Sequence, residues 1–203
     1  MKILGQFRLV GAFFGAVVCA LAQPSIQTTA LTYRPLDAKY STALGTWGIP
    51  GPAPTGPAVT GMSPSHSTSL AQTFTFTFKD SNGWHDIGVT NILINGALDG
   101  RHACYVAFVP SSASAGSVYL VDDAGDAGGP YSTMALPGTG MVQNSQCAIN
   151  GTGSSVTGNL YTLKLTLTVT FNNLFAGNQI VYLAARNNTQ NSGWQAVGSA
   201  MVP

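Results

Sequence analysis

Three oxygen-bearing side chains, Asp80, Asn82 and Asp86, stand at positions one, three and seven of a single stretch. That spacing opens a calcium-binding loop, because hard cations gather carboxylate and amide oxygens. An EF-hand would need a bidentate glutamate at position twelve, where Asn91 stands instead, and the chain contains no glutamate. Asp122, Asp123 and Asp126 form a second acidic group in another turn, and the two groups are candidates to converge at one end of the fold. Short acidic turns more often bond to their own backbone, so calcium is the one cofactor this reading admits, against the alternative of none.

His85 beside Asp86, together with His102, offers a metal pair or a general base, but no spacing such as HExxH links them, and His66 sits in a Pro/Gly-rich stretch. A surface or turn role is the expectation for all three. No G-x-S-x-G elbow marks a serine hydrolase, and no spacing singles out two carboxylates for glycoside hydrolysis. Leu136-Pro137-Gly138-Thr139-Gly140 matches the LPxTG pattern that sortases cleave. A strand-patterned segment follows it in place of a hydrophobic tail, so it is expected to be a Pro-Gly turn.

Aromatic residues supply the other chemistry, since flat rings stack on sugars. Trp84, Tyr119, Tyr131 and Trp194 are the candidates for a glycan platform. Parity puts Tyr161 on the core side with Leu163 and Leu165, while Tyr105 and Tyr182 lie in strands apolar on both sides.

The elements that must hold these residues are β-strands. Phe74, Phe76 and Phe78 alternate with Thr73, Thr75 and Thr77. From Leu160 to Phe171, the residues Tyr161, Leu163, Leu165, Leu167, Val169 and Phe171 oppose Thr162, Lys164, Thr166, Thr168 and Thr170. Only a period of two sorts them this way. Further strands are expected at Ile87 to Ile94, Ala103 to Val109, Ser117 to Val121, Gln143 to Ile149, Gln179 to Ala185 and Trp194 to Met201. Turn signals at Asp80 to Gly83, Asn95-Gly96, Asp99-Gly100, Ala124-Gly125, Asn150-Gly151 and Asn191 to Gly193 separate them. The pattern predicts an all-β antiparallel sandwich of about seven to nine strands.

Ahead of this domain (71–203), residues 1–22 have the form of an export signal: Lys2 and Arg8, an apolar run from Leu9 to Cys19, and the small-residue end Ala20-Leu21-Ala22. The run is too short for a membrane span, so no transmembrane segment is expected once the signal is removed. A lipoprotein reading of Cys19 is disfavoured because Val17 and Val18 precede it. Residues 23–70 read as a Pro/Gly/Ser-rich linker or N-terminal arm, with a short strand near Ala30 to Tyr33. Losing the signal leaves Cys104 and Cys147, and in an oxidising compartment they pair. The closed loop of about 44 residues would stabilise by about 4 kcal/mol.

Composition narrows the function classes. Hydrophobic residues make up 45% of the 203 and charged residues only 7%, against roughly 25% charged in average soluble domains. Without Lys2 and Arg8, six Lys and Arg face seven Asp. That leaves no electrostatic footprint for nucleic acid or an anionic membrane.

Four segments, Phe74 to Gly83, Leu120 to Gly125, Asn144 to Cys147 and Ser192 to Trp194, together resemble the immunoglobulin-like domains of bacterial secreted and cell-surface proteins, including uncharacterised exported ones. The resemblance implies a sandwich carried as a module in surface assemblies, with no catalytic residues to transfer. It departs from the antibody pattern at Ser145, where a tyrosine would stand two residues before the second cysteine, and in having no tryptophan between the cysteines.

The expectation is therefore a non-catalytic module of adhesion or surface architecture, extracellular, periplasmic or on the cell surface, with an extracellular protein or polysaccharide partner. A carbohydrate-binding module is the alternative and would need two or three named rings exposed and coplanar. A small extracellular hydrolase is a third, needing a Ser, His and Asp within hydrogen-bond reach in a concave pocket.

Overall fold

The alternation in Phe74–Phe78 is realised in three dimensions: all three rings are fully buried, while Thr73 and Thr75 face outward. There they meet Thr168 and Thr166 of the neighbouring strand through hydroxyl hydrogen bonds of 3.1 and 3.0 Å, the cross-strand pairing that stabilises an outer sheet face. The computed structural model describes residues 56–126 and 128–203. The expected signal, the strand near Ala30 to Tyr33 and the linker up to residue 55 lie outside the described residues.

Among the described residues, twelve strands form two sheets. In chain order they are β1 (Ala58–Ser63), β2 (His66–Ser67), β3 (Ala71–Lys79), β4 (Val89–Asn95), β5 (Cys104–Ser112) and β6 (Ala115–Val121). Then follow β7 (Tyr131–Leu136), β8 (Met141–Gln143), β9 (Cys147–Asn159), β10 (Thr162–Phe171), β11 (Gly177–Arg186) and β12 (Gln195–Val202). One sheet has the order β1-β3-β10-β9-β8 and the other β2-β12-β11-β4-β5-β6-β7. All pairings are antiparallel except β2 with β12, which is parallel. Two 3-10 turns, Trp84–Asp86 and Asn173–Phe175, are the helical segments among the described residues, and neither is long enough to cross a membrane.

The core lies between the sheets. Leu163, Leu165, Leu167 and Val169 join the three phenylalanines from one side; Val106, Phe108, Val118, Leu120, Val181 and Leu183 meet them from the other. The expected cystine is present. Cys104 opens β5 in the seven-stranded sheet and Cys147 opens β9 in the five-stranded one, so the bond pins the two layers together with 5.6 Å between Cα atoms.

The strand count exceeds the sequence estimate for identifiable reasons. β1 and β2 lie in what reads as linker: their Pro/Gly setting hides a strand that pairs along β3 from Ala58 to Ser63. β7 carries mostly polar or small, outward side chains on the edge of its sheet, and so shows little apolar alternation. Asn150-Gly151 is not a turn but part of β9, which continues to Asn159 through a bulge opposite Thr166 to Thr168. There the Ser154 hydroxyl accepts the Thr168 N–H and donates to the Asn150 carbonyl. Gly151 is a close-approach residue. A Cβ there would come within 2.6 Å of the Gly138 carbonyl oxygen, and its N–H reaches the Gly140 carbonyl at 2.7 Å. The Leu136 to Gly140 segment is accordingly the crossover from β7 to β8, between the sheets, with Leu136 buried.

Tyr161 also departs from parity. β10 begins at Thr162, after Leu160 has taken a left-handed φ of 49°, so Tyr161 sits in the turn and is 58% exposed.

Candidate functional site

The outer face of the seven-stranded sheet carries an aromatic groove of about 370 Å³. Its floor follows from register. Ala184 of β11 pairs with Asn91 of β4, Asn91 with Ala107 of β5, and Ala107 with Tyr119 of β6. Because the side-chain period is two, these residues share the outer face. Two alanines and an asparagine in one row leave a shallow trough beside taller neighbours.

The walls are rings. Tyr119 meets Tyr131 of β7 edge to face, with centroids 5.8 Å apart at 77°. Tyr105, next in the outward row of β5, meets Trp194 in the same way at 5.8 Å and 68°. Trp194 arrives from the loop between β11 and β12. That loop is folded back by Ser192, whose N–H donates to the Ala185 carbonyl and whose hydroxyl accepts the Ala185 N–H, both at 2.9 Å. Gly193, at φ 69°, then completes the turn in the left-handed region that glycine enters freely. Trp194 and Tyr131 are 36% and 40% exposed, so the rings are open to solvent. Burial, with Tyr131 adding to it, raises the Tyr105 hydroxyl above its usual titration range, and the nearby Arg186 cation opposes that shift. Arg186 and Asn191 add polar donors along the groove.

Three of the four rings named from sequence thus converge, and Tyr105 joins them. The fourth, Trp84, is elsewhere: it is half-buried against the backbone of Gly158, where a Cβ would fall 2.5 Å from the indole, and it packs edge-on against His85. The rings form crossed pairs along a trough rather than the coplanar platform expected.

The acidic groups do not converge. Asp80 donates its backbone N–H to the Tyr161 carbonyl, at the Asn159/Thr162 end of the β9–β10 pair. Asp123 binds the Ser145 backbone and hydroxyl, beside Cys147 at the other end of β9, roughly 30 Å away as measured along β10, which pairs with both ends of that strand. Asp122 and Asp126 accept N–H groups of their own turns, from Ala124 and Gly128. Asp80, Asn82 and Asp86 do come together. Asp80 Oδ1 accepts the Asn82 N–H at 2.9 Å, and Asn82 Nδ2 donates to Asp86 Oδ2 at 3.2 Å.

Among the described residues no three His, Cys, Asp or Glu side chains group as metal ligands. His85 lies beside the acidic turn, and His102 caps a loop in which its N–H reaches the Asp123 carbonyl. His66 Nδ1 bonds the Ser199 hydroxyl at 2.9 Å, with no carboxylate among the described residues bonded to that histidine to orient it.

No family model, curated protein or solved structure matches the chain.

Proposed function

We propose that the chain is an exported, non-catalytic carbohydrate-binding module whose sandwich presents the aromatic groove to a single glycan strand. The observation that carries this reading is the convergence of Tyr105, Tyr119, Tyr131 and Trp194 over a floor of Ala107, Ala184 and Asn91. A pyranose ring has apolar C–H faces and polar edges. Rings take the faces, and the amides and guanidinium take the hydroxyls. Crossed ring pairs favour one chain lying in a trough over a flat crystalline surface. A groove of this size falls within the range of ligand sites.

Adhesion and surface architecture, the broader expectation, is then served through sugar contact. The immunoglobulin-like resemblance enters this proposal as a two-sheet module pinned by an inter-sheet cystine, a form suited to an oxidising exterior.

The test is binding of the full chain to arrayed cello-, xylo-, manno-, chito- and uronate oligosaccharides. Trp194→Ala and Tyr119→Ala should each weaken binding at least tenfold, while Trp84→Ala leaves the same glycans bound. Absence of binding to every glycan, or equal loss in Trp84→Ala, would end the reading.

A further inference from the structure

The lysines and arginines among the described residues are Lys79, Arg101, Lys164 and Arg186. Arg101 is taken by Asp99 at 2.6 Å, and no other ion pair forms among the described residues. Arg186 is the one of these cations that lines the aromatic groove. It is exposed, and no carboxylate among the described residues lines the groove to neutralise it.

Register fixes where that charge stands. Arg186 lies two residues beyond Ala184 on β11, so it projects from the same outer face. It pairs with Val89 of β4, as Ala184 pairs with Asn91. On the opposite side of Asn91, Leu93 of β4 pairs with Tyr105. The floor row of Ala184, Asn91 and Ala107 therefore runs between a ring on one side and a guanidinium on the other. The two sense each other across it: the Arg186 cation opposes the upward push that burial gives the Tyr105 hydroxyl.

A neutral sugar uses such a guanidinium only as a hydrogen-bond donor. A planar carboxylate accepts two parallel N–H bonds from it and also cancels its charge. Uronic acids carry a carboxylate on the edge of the pyranose ring, which leaves the apolar ring faces free to lie on the aromatics. A trough with one cation and no anion among its described lining residues selects for a ligand of that sign.

We propose that the groove's ligand is an acidic glycan, a uronate-containing strand whose carboxylate pairs with Arg186 while its ring faces lie on Trp194 and Tyr105. This deepens the glycan reading of the groove and rests on it. Arg186 is then the residue that separates acidic from neutral strands.

The experiment is calorimetric titration of the full chain with oligogalacturonate and oligoglucuronate, each beside its methyl ester, which keeps the sugar and removes the charge. An acid should bind at least about tenfold more tightly than its ester at about 0.02 M NaCl, and the gap should shrink at about 0.5 M, because an exposed charge is screened. Arg186→Gln should weaken the acid by about tenfold and the ester by no more than about threefold, while Arg186→Lys, which keeps the charge and loses the fork, restores part of the gap. Lys164→Gln, on the outer face of the other sheet, should leave the gap intact. Arg186 is exposed, so its variants should keep the Tm of the parent within about 2 °C.

Equal binding of acid and ester, or binding of neutral glycans alone, weakened in either case by Trp194→Ala, would overturn this inference and leave the groove reading standing. Binding of no glycan at all would remove both. A gap that survives Arg186→Gln, or that Lys164→Gln abolishes, would put the acid elsewhere and overturn the inference, as would a sulfated oligosaccharide that outbinds every uronate.

Discussion

Tyr105 in β5 and Trp194 in the loop before β12 meet edge to face, 5.8 Å between ring centroids, across the outer surface of the seven-stranded sheet. β5 supplies a rigid strand near the middle of its sheet. The loop supplies a ring fixed by the Ser192–Ala185 hydrogen bonds. A contact surface on rigid elements needs little ordering on binding, which is where affinity is otherwise lost.

If the trough between the rings is the contact surface, filling its floor should abolish binding without unfolding the domain. Ala107 points outward from β5, away from the core. Ala107→Phe should therefore lose glycan binding by tenfold or more while Tm stays within about 3 °C of the parent, as expected of a substitution outside the core. Parallel binding and thermal-melt measurements check both halves.

The cystine is reinforced by Asn144. Its Nδ2 donates to the Ala103 and Val121 carbonyls at 2.9 and 3.1 Å, and its Oδ1 accepts the Gln146 and Cys147 N–H groups at 3.0 Å each. One side chain thus links backbone flanking both cysteines. Asn144→Ala should cost about 2 to 4 kcal/mol, since several partly buried groups lose their partners together. Removing the bond by Cys104→Ser with Cys147→Ser should cost about 2 to 5 kcal/mol. Denaturant titration gives both values, and an Asn144→Ala protein as stable as the parent would contradict the role assigned here.

Where sequence alternation reports burial on one face only, it was legible: Phe74, Phe76 and Phe78, and Leu163 to Phe171, lie as period two requires. The cystine was legible as well. The aromatic groove was legible in part, through Tyr119, Tyr131 and Trp194. Tyr105 was ambiguous because Val106 and Phe108 face the core while Ala107 and Val109 line the groove, so both sides of β5 are apolar. The small residues Ala107 and Ala184 at matched outward positions are the signal that marks a trough, but their pairing is a property of register, which a single strand does not reveal. Trp84 stands apart from the other three rings because Gly158, far along the chain, provides a backbone surface for it to cover, a contact that its own neighbours in sequence do not report.

Gly151 and Gly158 test that close packing. A Cβ at Gly158 would enter the Trp84 ring, and one at Gly151 would strike the Gly138 and Gly140 carbonyls. Gly151→Ala should destabilise by about 1 to 3 kcal/mol, the usual cost of overpacking. Gly158→Ala should do the same and shift Trp84 fluorescence. Equilibrium unfolding monitored by tryptophan emission reads both.

Asp99 and Arg101 form a short-range ion pair, with Nη2 to Oδ2 at 2.6 Å. Hydrogen bonds from Arg101 hold the Asp99 carboxyl down to about 2. Because the folded pKa lies below the unfolded one, the pair's contribution is present above the ordinary carboxylate range and is lost as pH falls through about 2. The pair is solvent-exposed, so its effect on stability is small. Carboxyl NMR titration should find Asp99 depressed and Arg101→Ala should return it toward the ordinary value; an Asp99 that titrates normally in the parent would refute the pairing.

The most direct measurement of the groove's role is the pair of indole N–H resonances of Trp194 and Trp84 during titration with the arrayed oligosaccharides. The groove reading predicts that a bound glycan shifts or broadens the Trp194 signal and leaves that of Trp84 in place. A glycan that binds without moving Trp194, or no perturbation with any oligosaccharide, would contradict it.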